Sequence, residues 1–286
     1  MKFLVTGGAG RLGSEVVRLG AERGHEIVAF DLPQARWENV SEIPGVEVFK
    51  GDITDTENVV EACRGVDGVI HLAAILPPAS EANRELTMGV NVEGTRTITE
   101  SLQRSKGKPI VFASSVSTYG ITAHEEPPIG EDHPLRVHNN YSESKIESER
   151  LIRDSGIPHT VLRIAPIAVA DVVELPETIP YRADQRVEFV FVADAAWAAL
   201  SALEGQGSRG ETYNVAGGPS WQMTGEKYVA RFYEALGVEV EPIFFDEYTA
   251  ADWYDTDRGK FFGYQRATFN DLLETLRVLG EELGLR

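Results

Sequence analysis

Tyr141 and Lys145 stand four residues apart in the stretch Tyr141-Ser-Glu-Ser-Lys145, and Ser115 precedes Tyr141 by 26 residues. Residues four apart on a helix share one face. A lysine ammonium beside a phenol favours the phenolate, because a nearby positive charge favours the charged form of an acid. An unperturbed tyrosine has a pKa of about 10, so a base working near pH 7 needs a shift of roughly 3 units, about 4 kcal/mol. The lysine and a positively charged cofactor ring are the sources this pattern offers. Ser115 then holds a substrate oxygen while Tyr141 exchanges its proton. Alone, a Tyr-x-x-x-Lys match carries little weight, since roughly 0.2 copies arise by chance in a chain of this composition. Order and context supply the weight.

The elements that must position these groups begin at the amino terminus. Met1-Lys-Phe-Leu-Val-Thr6 is a short apolar run that reads as a buried strand. Thr6-Gly-Gly-Ala-Gly-Arg-Leu-Gly13 follows, and Ser14 to Arg23 reads as a helix with apolar positions at Val16, Val17, Leu19 and Ala21. Gly7, Gly10 and Gly13 are spaced Gly-x-x-Gly-x-x-Gly. Strand, glycine turn and helix amino terminus suit a pyrophosphate: backbone N–H groups point at the anion, and missing Cβ atoms let it approach. A plain strand-to-helix turn has the same local pattern.

Glu26-Ile-Val-Ala-Phe30 reads as a second strand and ends in Asp31, 18 residues past Gly13. An acid at that distance accepts hydrogen bonds from adenosine ribose hydroxyls and repels a 2′-phosphate, which favours NAD over NADP. Arg11 and Arg36 are the counter-candidates, as partners for such a phosphate. Val46 to Phe49 reads as a third strand, followed by Gly51-Asp52-Ile53. Asp52 suits either an adenine amino group or the start of the helix from Asp55 onward. Val66 to Ala74 reads as a fourth strand ending in small residues, and Ile110 to Ser115 as a fifth.

These pieces resemble an extended short-chain dehydrogenase/reductase, the NAD-dependent epimerase/dehydratase family. The matching segments come in family order: the glycine turn, Asp31, Asp52-Ile53, His71-Leu-Ala-Ala74, Asn91-Val-Glu-Gly-Thr95, Ser114-Ser-Val-Ser-Thr-Tyr-Gly120 and Tyr141 to Lys145. The likeness covers the first two thirds well and continues loosely through Phe189 to Asp194 and Tyr213 to Ala216. It implies Ser115 as catalytic serine, Tyr141 as acid/base, and Lys145 as its partner that also holds the nicotinamide ribose. Around NAD it implies Gly7, Gly10, Arg11, Leu12, Gly13, Asp31, Asp52, Ile53, Leu72, Ala73, Ala74 and Asn91, the last on a helix lining the site, together with Tyr141 and Lys145.

The departures narrow the function. Family dehydratases carry an Asp-Glu pair after the serine, where this chain has Val116 and Ser117. That argues against 4,6-dehydration of a sugar. Nucleotide-sugar epimerases resemble one another at three diphosphate contacts. Here Pro166 stands at the first, and Val187, with Arg186 next door, at the second. Glu241 to Asp246, at the third, holds no arginine. A diphosphate needs positive partners or N–H donors, and the segment from Pro166 to Arg186 is short for such a substrate. The expected function is NAD-dependent hydride transfer at a hydroxyl or keto carbon of a small sugar-like substrate, a free sugar or sugar acid. The alternatives are a nucleotide-sugar 4-epimerase with tightly bound NAD, and a silent dinucleotide sensor, against which the intact Ser/Tyr/Lys set speaks.

The strand–helix alternation to about Ile164 implies an α/β fold, a Rossmann-type doubly wound parallel sheet with a small C-terminal substrate-binding lobe. Residues 1–165 plus 188–216 form the expected dinucleotide-binding domain, and 166–187 plus 217–286 the lobe. Ala193 to Leu203 reads as a helix and Glu211 to Val215 as a returning strand. The chain is expected to return to the sheet near Phe189. Most of Trp221, Tyr248, Trp253, Tyr254 and Phe261 are expected in the lobe's core, with one or two facing a sugar ring.

Composition bounds the partners. The 286 residues carry a formal net charge of −18, which argues against nucleic acid and anionic membranes. No stretch approaches the 18 or so apolar residues of a membrane helix. The chain enters a strand directly, so a cytoplasmic protein without signal peptide is expected. The single cysteine, Cys63, is expected as a buried small hydrophobe, and the six histidines show no metal-ligand spacing. Seven lysines stand against 20 arginines and 45 acids. A salt-adapted surface and a GC-rich genome both account for that bias. The expected partners are a small-molecule substrate and further copies of the chain, as a homodimer or higher homo-oligomer.

Overall fold

The computed structural model describes residues 1–105, 107–170 and 176–285. Residues 106, 171–175 and 286, which fall within the two expected domain ranges, lie outside the described residues. The first half alternates strands and helices: β1 (Lys2–Thr6), α1 (Arg11–Glu22), β2 (Glu26–Asp31), β3 (Val46–Lys50), α2 (Thr56–Ala62), β4 (Gly68–His71), two short helices α3 (Ala79–Ala82) and α4 (Arg84–Met88), and a π-helical turn over Gly89–Glu93. There follow α5 (Gly94–Arg104), β5 (Ile110–Ser115), α6 (Asn140–Asp154) and β6 (His159–Ile164). Beyond them come β7 (Ile167–Ala168), β8 (Arg186–Val187), β9 (Val190–Phe191), α7 (Val192–Glu204), β10 (Glu211–Val215), β11 (Met223–Thr224), α8 (Gly225–Leu236) and α9 (Phe269–Glu282).

Among the described residues one seven-stranded sheet runs β10-β6-β5-β4-β1-β2-β3, and its pairings are all parallel. A parallel sheet is covered on both faces, so its strands are apolar runs without alternation. Phe3, Leu4 and Val5 in β1 are all buried, as are Ile110, Val111 and Phe112 in β5. Two separate apolar clusters form the layers. One joins Phe3, Val5, Val16, Val17 and the alanine-rich face of α7. The other joins Leu4, Val28, Val69, Ile98, Leu102 and Phe112. Strand order reverses between β1 and β4. In such sheets ligands bind at the carboxyl ends of the strands beside that point. The turn from Gly7 and the segment from Leu72 leave the sheet there.

Two expectations needed correction. β4 ends at His71 instead of continuing to Ala74. The β4 ladders end at His71, opposite Thr6 of β1 and Phe112 of β5, and the chain of β1 turns away at Gly7. The Thr6 hydroxyl instead accepts the N–H of Leu72 at 3.2 Å and of Ala73 at 3.3 Å. The return near Phe189 is also not to the main sheet. β9 pairs with β7, and β8 with β11, each over two residues. Among the described residues only β10 rejoins the sheet, beside β6.

A third apolar cluster draws on residues from Ala168 to Leu276, with Val187, Trp221, Tyr228, Leu236, Phe269 and Leu272 at its centre. Phe189 stacks on Tyr228 at 4.2 Å between ring centroids, which anchors the crossing segment to this cluster. Of the aromatics expected in the lobe's core, Trp221 is buried in this cluster, Tyr254 is buried in the first cluster instead, stacked on Tyr119, and Phe261 is 61% exposed against Phe262. Cys63 is buried as expected.

Charges also lie inside. Arg163 in β6 is 4% exposed and Glu149 in α6 is 0% exposed. Arg163 Nε and Nη2 donate to the two Glu149 oxygens at 3.0 and 2.9 Å. Breaking one side of a buried pair is costly because the other charge is stranded. Arg163→Met should therefore lower the unfolding free energy by about 3–5 kcal/mol, measured by urea denaturation. A loss below about 1 kcal/mol would mean that the half-exposed Arg153, which also reaches Glu149, is sufficient alone.

Candidate active site

Ser115 closes β5, and Tyr141 and Lys145 lie on the first two turns of α6. The start of that helix is set locally by a capping box. Asn139 Oδ1 accepts the Ser142 N–H at 2.8 Å, and Ser142 Oγ accepts the Asn139 N–H at 3.1 Å. The Glu81 carboxylate takes the next free donors, the N–H groups of Asn140 at 2.9 Å and Tyr141 at 3.2 Å. A carboxylate at a helix amino terminus also meets the favourable end of the helix dipole.

The Ser115 hydroxyl neighbours the Tyr141 phenol and favours its ionised form. Ser115 Oγ also accepts the Ser117 N–H at 3.1 Å, which turns the chain sharply after β5. Lys145 is 3% exposed. Its Nζ donates to the Ala113 carbonyl at 2.7 Å, 4.8 Å from the Phe112 ring centroid and 5.6 Å from that of Tyr141. Thus the three expected catalytic side chains are brought together at one corner of the sheet.

Their electrostatics differ from the sequence expectation. Burial pushes the Tyr141 phenol up to about 12, and the Ser115 hydroxyl only partly offsets this. Burial also pushes Lys145 down to about 7, with Glu149 acting in the opposite direction. The expected lowering of Tyr141 by Lys145 is overridden here, because desolvation disfavours the charged form of each group. At neutral pH the phenol therefore holds its proton and is poised as a donor.

The glycine turn is built so that side chains are excluded. Gly7 has φ +69°, and a Cβ there would lie 2.9 Å from the Ala73 nitrogen. A Cβ on Gly13 would lie 1.9 Å from the Gly7 carbonyl oxygen. Gly10 caps α1 with no side-chain bond, Arg11 is exposed and Leu12 half-buried on its first turn. Asp31 faces this turn: its carboxylate accepts the Ala9 N–H at 3.1 Å and the Leu32 N–H at 2.8 Å. Close backbone approach, a helix amino terminus and a half-buried carboxylate at the end of β2 fit the pyrophosphate and ribose of a dinucleotide.

The remaining expected cofactor residues are less uniform. Asp52 is exposed and binds Thr54 through both its N–H and its hydroxyl, while Asp55 caps α2. Ile53 is 5% exposed and packs in the second apolar cluster. Leu72, Ala73 and Ala74 are half-buried beside Gly7. Asn91 does not lie on a regular α-helix but within the π-helical turn, and it is 2% exposed. Its amide bonds both backbone groups of Ile75, at 2.7 and 3.1 Å, and donates to Ser144 at 2.9 Å. It ties the loop after β4 to α6. Among the described residues no cluster of histidine, cysteine and carboxylate could hold a metal ion.

Sequence reasoning assigned nothing to Thr6, His71, Glu81 or Glu149. His71 is buried, with Nδ1 2.6 Å from Thr6 Oγ1 and Nε2 3.0 Å from Thr95 Oγ1. Burial and Lys145 push it down to about 3, so it is neutral. Glu149 had a signal, because it continues the Tyr141–Lys145 face at the next i+4 step. Glu81 had none, being 60 residues from its partner Tyr141.

This fold is that of the short-chain dehydrogenase/reductase superfamily. A superfamily member from Agrobacterium tumefaciens, crystallised with bound NAD, superposes with a TM-score of 0.84 over 99% of this chain and 98% of its own, at 22% identity. The family profile described as "NAD dependent epimerase/dehydratase family" matches residues 3–168, and the chain belongs to that family. The UDP-glucose 4-epimerase of Lactobacillus helveticus is 34% identical over 177 residues, 59% of this chain and 53% of that enzyme. The sterol-4-alpha-carboxylate 3-dehydrogenase (decarboxylating) of Mus musculus is 32% identical over 161 residues, 55% and 42% of the two chains. The chain thus spans about half the length of the curated relatives it matches.

The turn offers a direct test. Gly13→Ala must displace the Gly7 carbonyl, and overpacking of this kind costs about 1–3 kcal/mol. The melting temperature should fall by roughly 3–10 °C at this chain size, read by thermal denaturation followed by circular dichroism. An unchanged melting temperature would mean that the turn yields freely.

Proposed function

We propose that this protein is an NAD-dependent oxidoreductase acting at a hydroxyl or keto carbon of a small sugar-like substrate. The observation that carries the reading is the convergence of Ser115, Tyr141 and Lys145 at the head of α6, one strand away from the glycine turn. NAD, when bound, supplies the hydride acceptor or donor. The backbone of Gly7, Gly10 and Gly13 would hold its pyrophosphate, Asp31 its adenosine ribose, and Lys145 its nicotinamide ribose. Ser115 orients the reacting oxygen. Tyr141 gives that oxygen a proton in reduction and removes one in oxidation, so two hydroxyls on one oxygen fix its position and its charge.

The proposal of a small substrate rests on the cations around the site. Arg182 is paired with Asp184, Arg186 with the fully buried Asp252, Arg84 with Glu143, and Arg136 with Glu125. Arg186 further donates to the Glu125 carbonyl at 2.9 Å. These four arginines are therefore already matched by carboxylates, where a diphosphate would need free positive partners. Residues 171–175 add no basic side chain. We also propose that residues 166–187 and 217–286 form the substrate lobe over a dinucleotide-binding domain of 1–165 and 188–216. The third apolar cluster supports such a lobe. Among the described residues no helix is long and apolar enough to cross a membrane.

A nucleotide-sugar 4-epimerase is the second reading, favoured by the UDP-glucose 4-epimerase relative. Stoichiometry separates the two. Aldoses, uronic acids and UDP-sugars offered with NAD should give net NADH absorbance from a free sugar or sugar acid. Product formed from a UDP-sugar with no net NADH establishes the epimerase instead. Tyr141→Phe should abolish turnover in either case while leaving NAD affinity nearly unchanged. Retained turnover in that variant removes the central claim.

Cofactor choice follows from Asp31. A 2′-phosphate brings about two negative charges to a carboxylate, and charges near 4 Å repel by several kcal/mol at an effective dielectric of 20. NAD should be preferred at least about tenfold, equivalent to about 1.4 kcal/mol. Asp31→Ser should narrow the gap by weakening NAD and admitting NADP, read by fluorescence titration at two salt concentrations, since salt screens the repulsion. A wild-type preference for NADP would overturn the assignment of Asp31.

A further inference from the structure

Glu149 sits one helical turn beyond Lys145, wholly buried, and no step proposed above uses it. Its Oε1 accepts from Ser114 Oγ at 2.5 Å and from Arg163 Nε at 3.0 Å. Its Oε2 accepts from Arg163 Nη2 at 2.9 Å and from Arg153 Nη2 at 2.8 Å. Ser114 is the residue before Ser115, and Arg163 lies directly opposite it on β6. One carboxylate thus grips β5, β6 and α6 at the level of the candidate catalytic groups. A buried ion pair gains little stability over apolar residues of similar volume, so stability alone does not account for this arrangement.

We propose that Glu149 is a positioning residue: it fastens the end of β5 that carries Ser115 to the helix that carries Tyr141 and Lys145, and its negative charge steadies the Lys145 ammonium. This rests on the roles read above for those three residues. The charges facing each group are few. Lys145 meets Glu149 and Tyr141 on its own helix, the Ala113 carbonyl and the Phe112 ring on β5, and neutral His71 on β4. Glu149 meets Lys145 and Arg153 on α6 and Arg163 on β6. Beyond Arg163 lie the Tyr119 hydroxyl and the Glu131 carbonyl. Burial holds Lys145 down to about 7 while Glu149 works against it. Removing the carboxylate leaves burial unopposed, so Lys145 loses its proton at lower pH.

The test uses the full chain with 13C at the lysine ε-carbons, the Lys145 resonance being assigned with Lys145→Arg. In wild type Lys145 should titrate near neutrality. In Glu149→Gln the midpoint should move down by about one pH unit or more, a tenfold change in proton affinity, and Glu149→Asp should restore it. With an active substrate in hand, the alkaline limb of kcat/KM should move by the same amount in Glu149→Gln. Should that variant fail to fold around an unpaired Arg163, Glu149→Leu with Arg163→Leu removes both charges together. Lys145 must there too titrate below wild type. A folded variant of either kind with an unmoved or raised Lys145 titration overturns the proposal. The titration needs neither substrate nor turnover, so its outcome is independent of whether the oxidoreductase reading holds.

Discussion

A carboxylate cannot stand alone in an apolar interior, and the bidentate pairing of Arg163 with Glu149 is the constraint around which this corner of the fold is arranged. The guanidinium has donors left over after that pairing. Its Nη1 reaches the Tyr119 hydroxyl at 3.2 Å and the Glu131 carbonyl at 2.9 Å. Tyr119 in turn donates to Asn214 Oδ1 at 2.5 Å, and the Asn214 N–H donates to Glu131 at 2.9 Å. A polar network thus ties β5, β6, α6, β10 and the long loop after β5 together. Each buried group in it is matched, as the cost of leaving one unpaired requires. The loop that carries Thr118 to His133 leaves the sheet at Ser115, so its anchoring and the placement of the serine are one problem.

Burial dominates the chemistry of the site. It raises Tyr141, lowers Lys145 and lowers His71. All three shifts favour the uncharged form, which is what desolvation does to acids and bases alike. Opposing them are short-range partners: the serine hydroxyl at the phenol and Glu149 below the lysine. The protonation states therefore belong to the cluster, with neighbouring groups adjusting each other.

Much of this was legible in the sequence. The run from Phe3 to Val5, the glycine spacing and the apolar Ile110 to Phe112 carry local signals, and those elements form where they were expected. The Tyr141–Lys145 face is likewise local, a matter of helical spacing. What escaped reading depends on partners remote in sequence. The end of β4 is marked by the Leu72 and Ala73 N–H groups turning to the hydroxyl of Thr6, which lies far away in the sequence. The two-residue ladders of β7 with β9 and β8 with β11 are too short to leave a periodic pattern. The direction of the Tyr141 shift is set by burial, which no four-residue motif encodes. Asn91 was placed near the site, but its amide is spent on Ile75 and Ser144, contacts that a linear motif does not reveal.

The hydroxyl of Thr6 settles the whereabouts of one proton. Its oxygen accepts two backbone N–H groups, from Leu72 and Ala73, so both lone pairs are engaged. Its own hydrogen is left for His71 Nδ1, which must then be the unprotonated ring nitrogen. The imidazole hydrogen consequently sits on Nε2 and is donated to Thr95, whose hydroxyl passes its hydrogen to the Asn91 carbonyl at 2.5 Å. The chain of bonds has a single direction, from the backbone at Leu72 and Ala73 to the carbonyl of the π-helical turn. A valine at position 6 would match the shape of threonine and still be excluded, because it would orphan the Ala73 N–H and free the imidazole to choose its other tautomer.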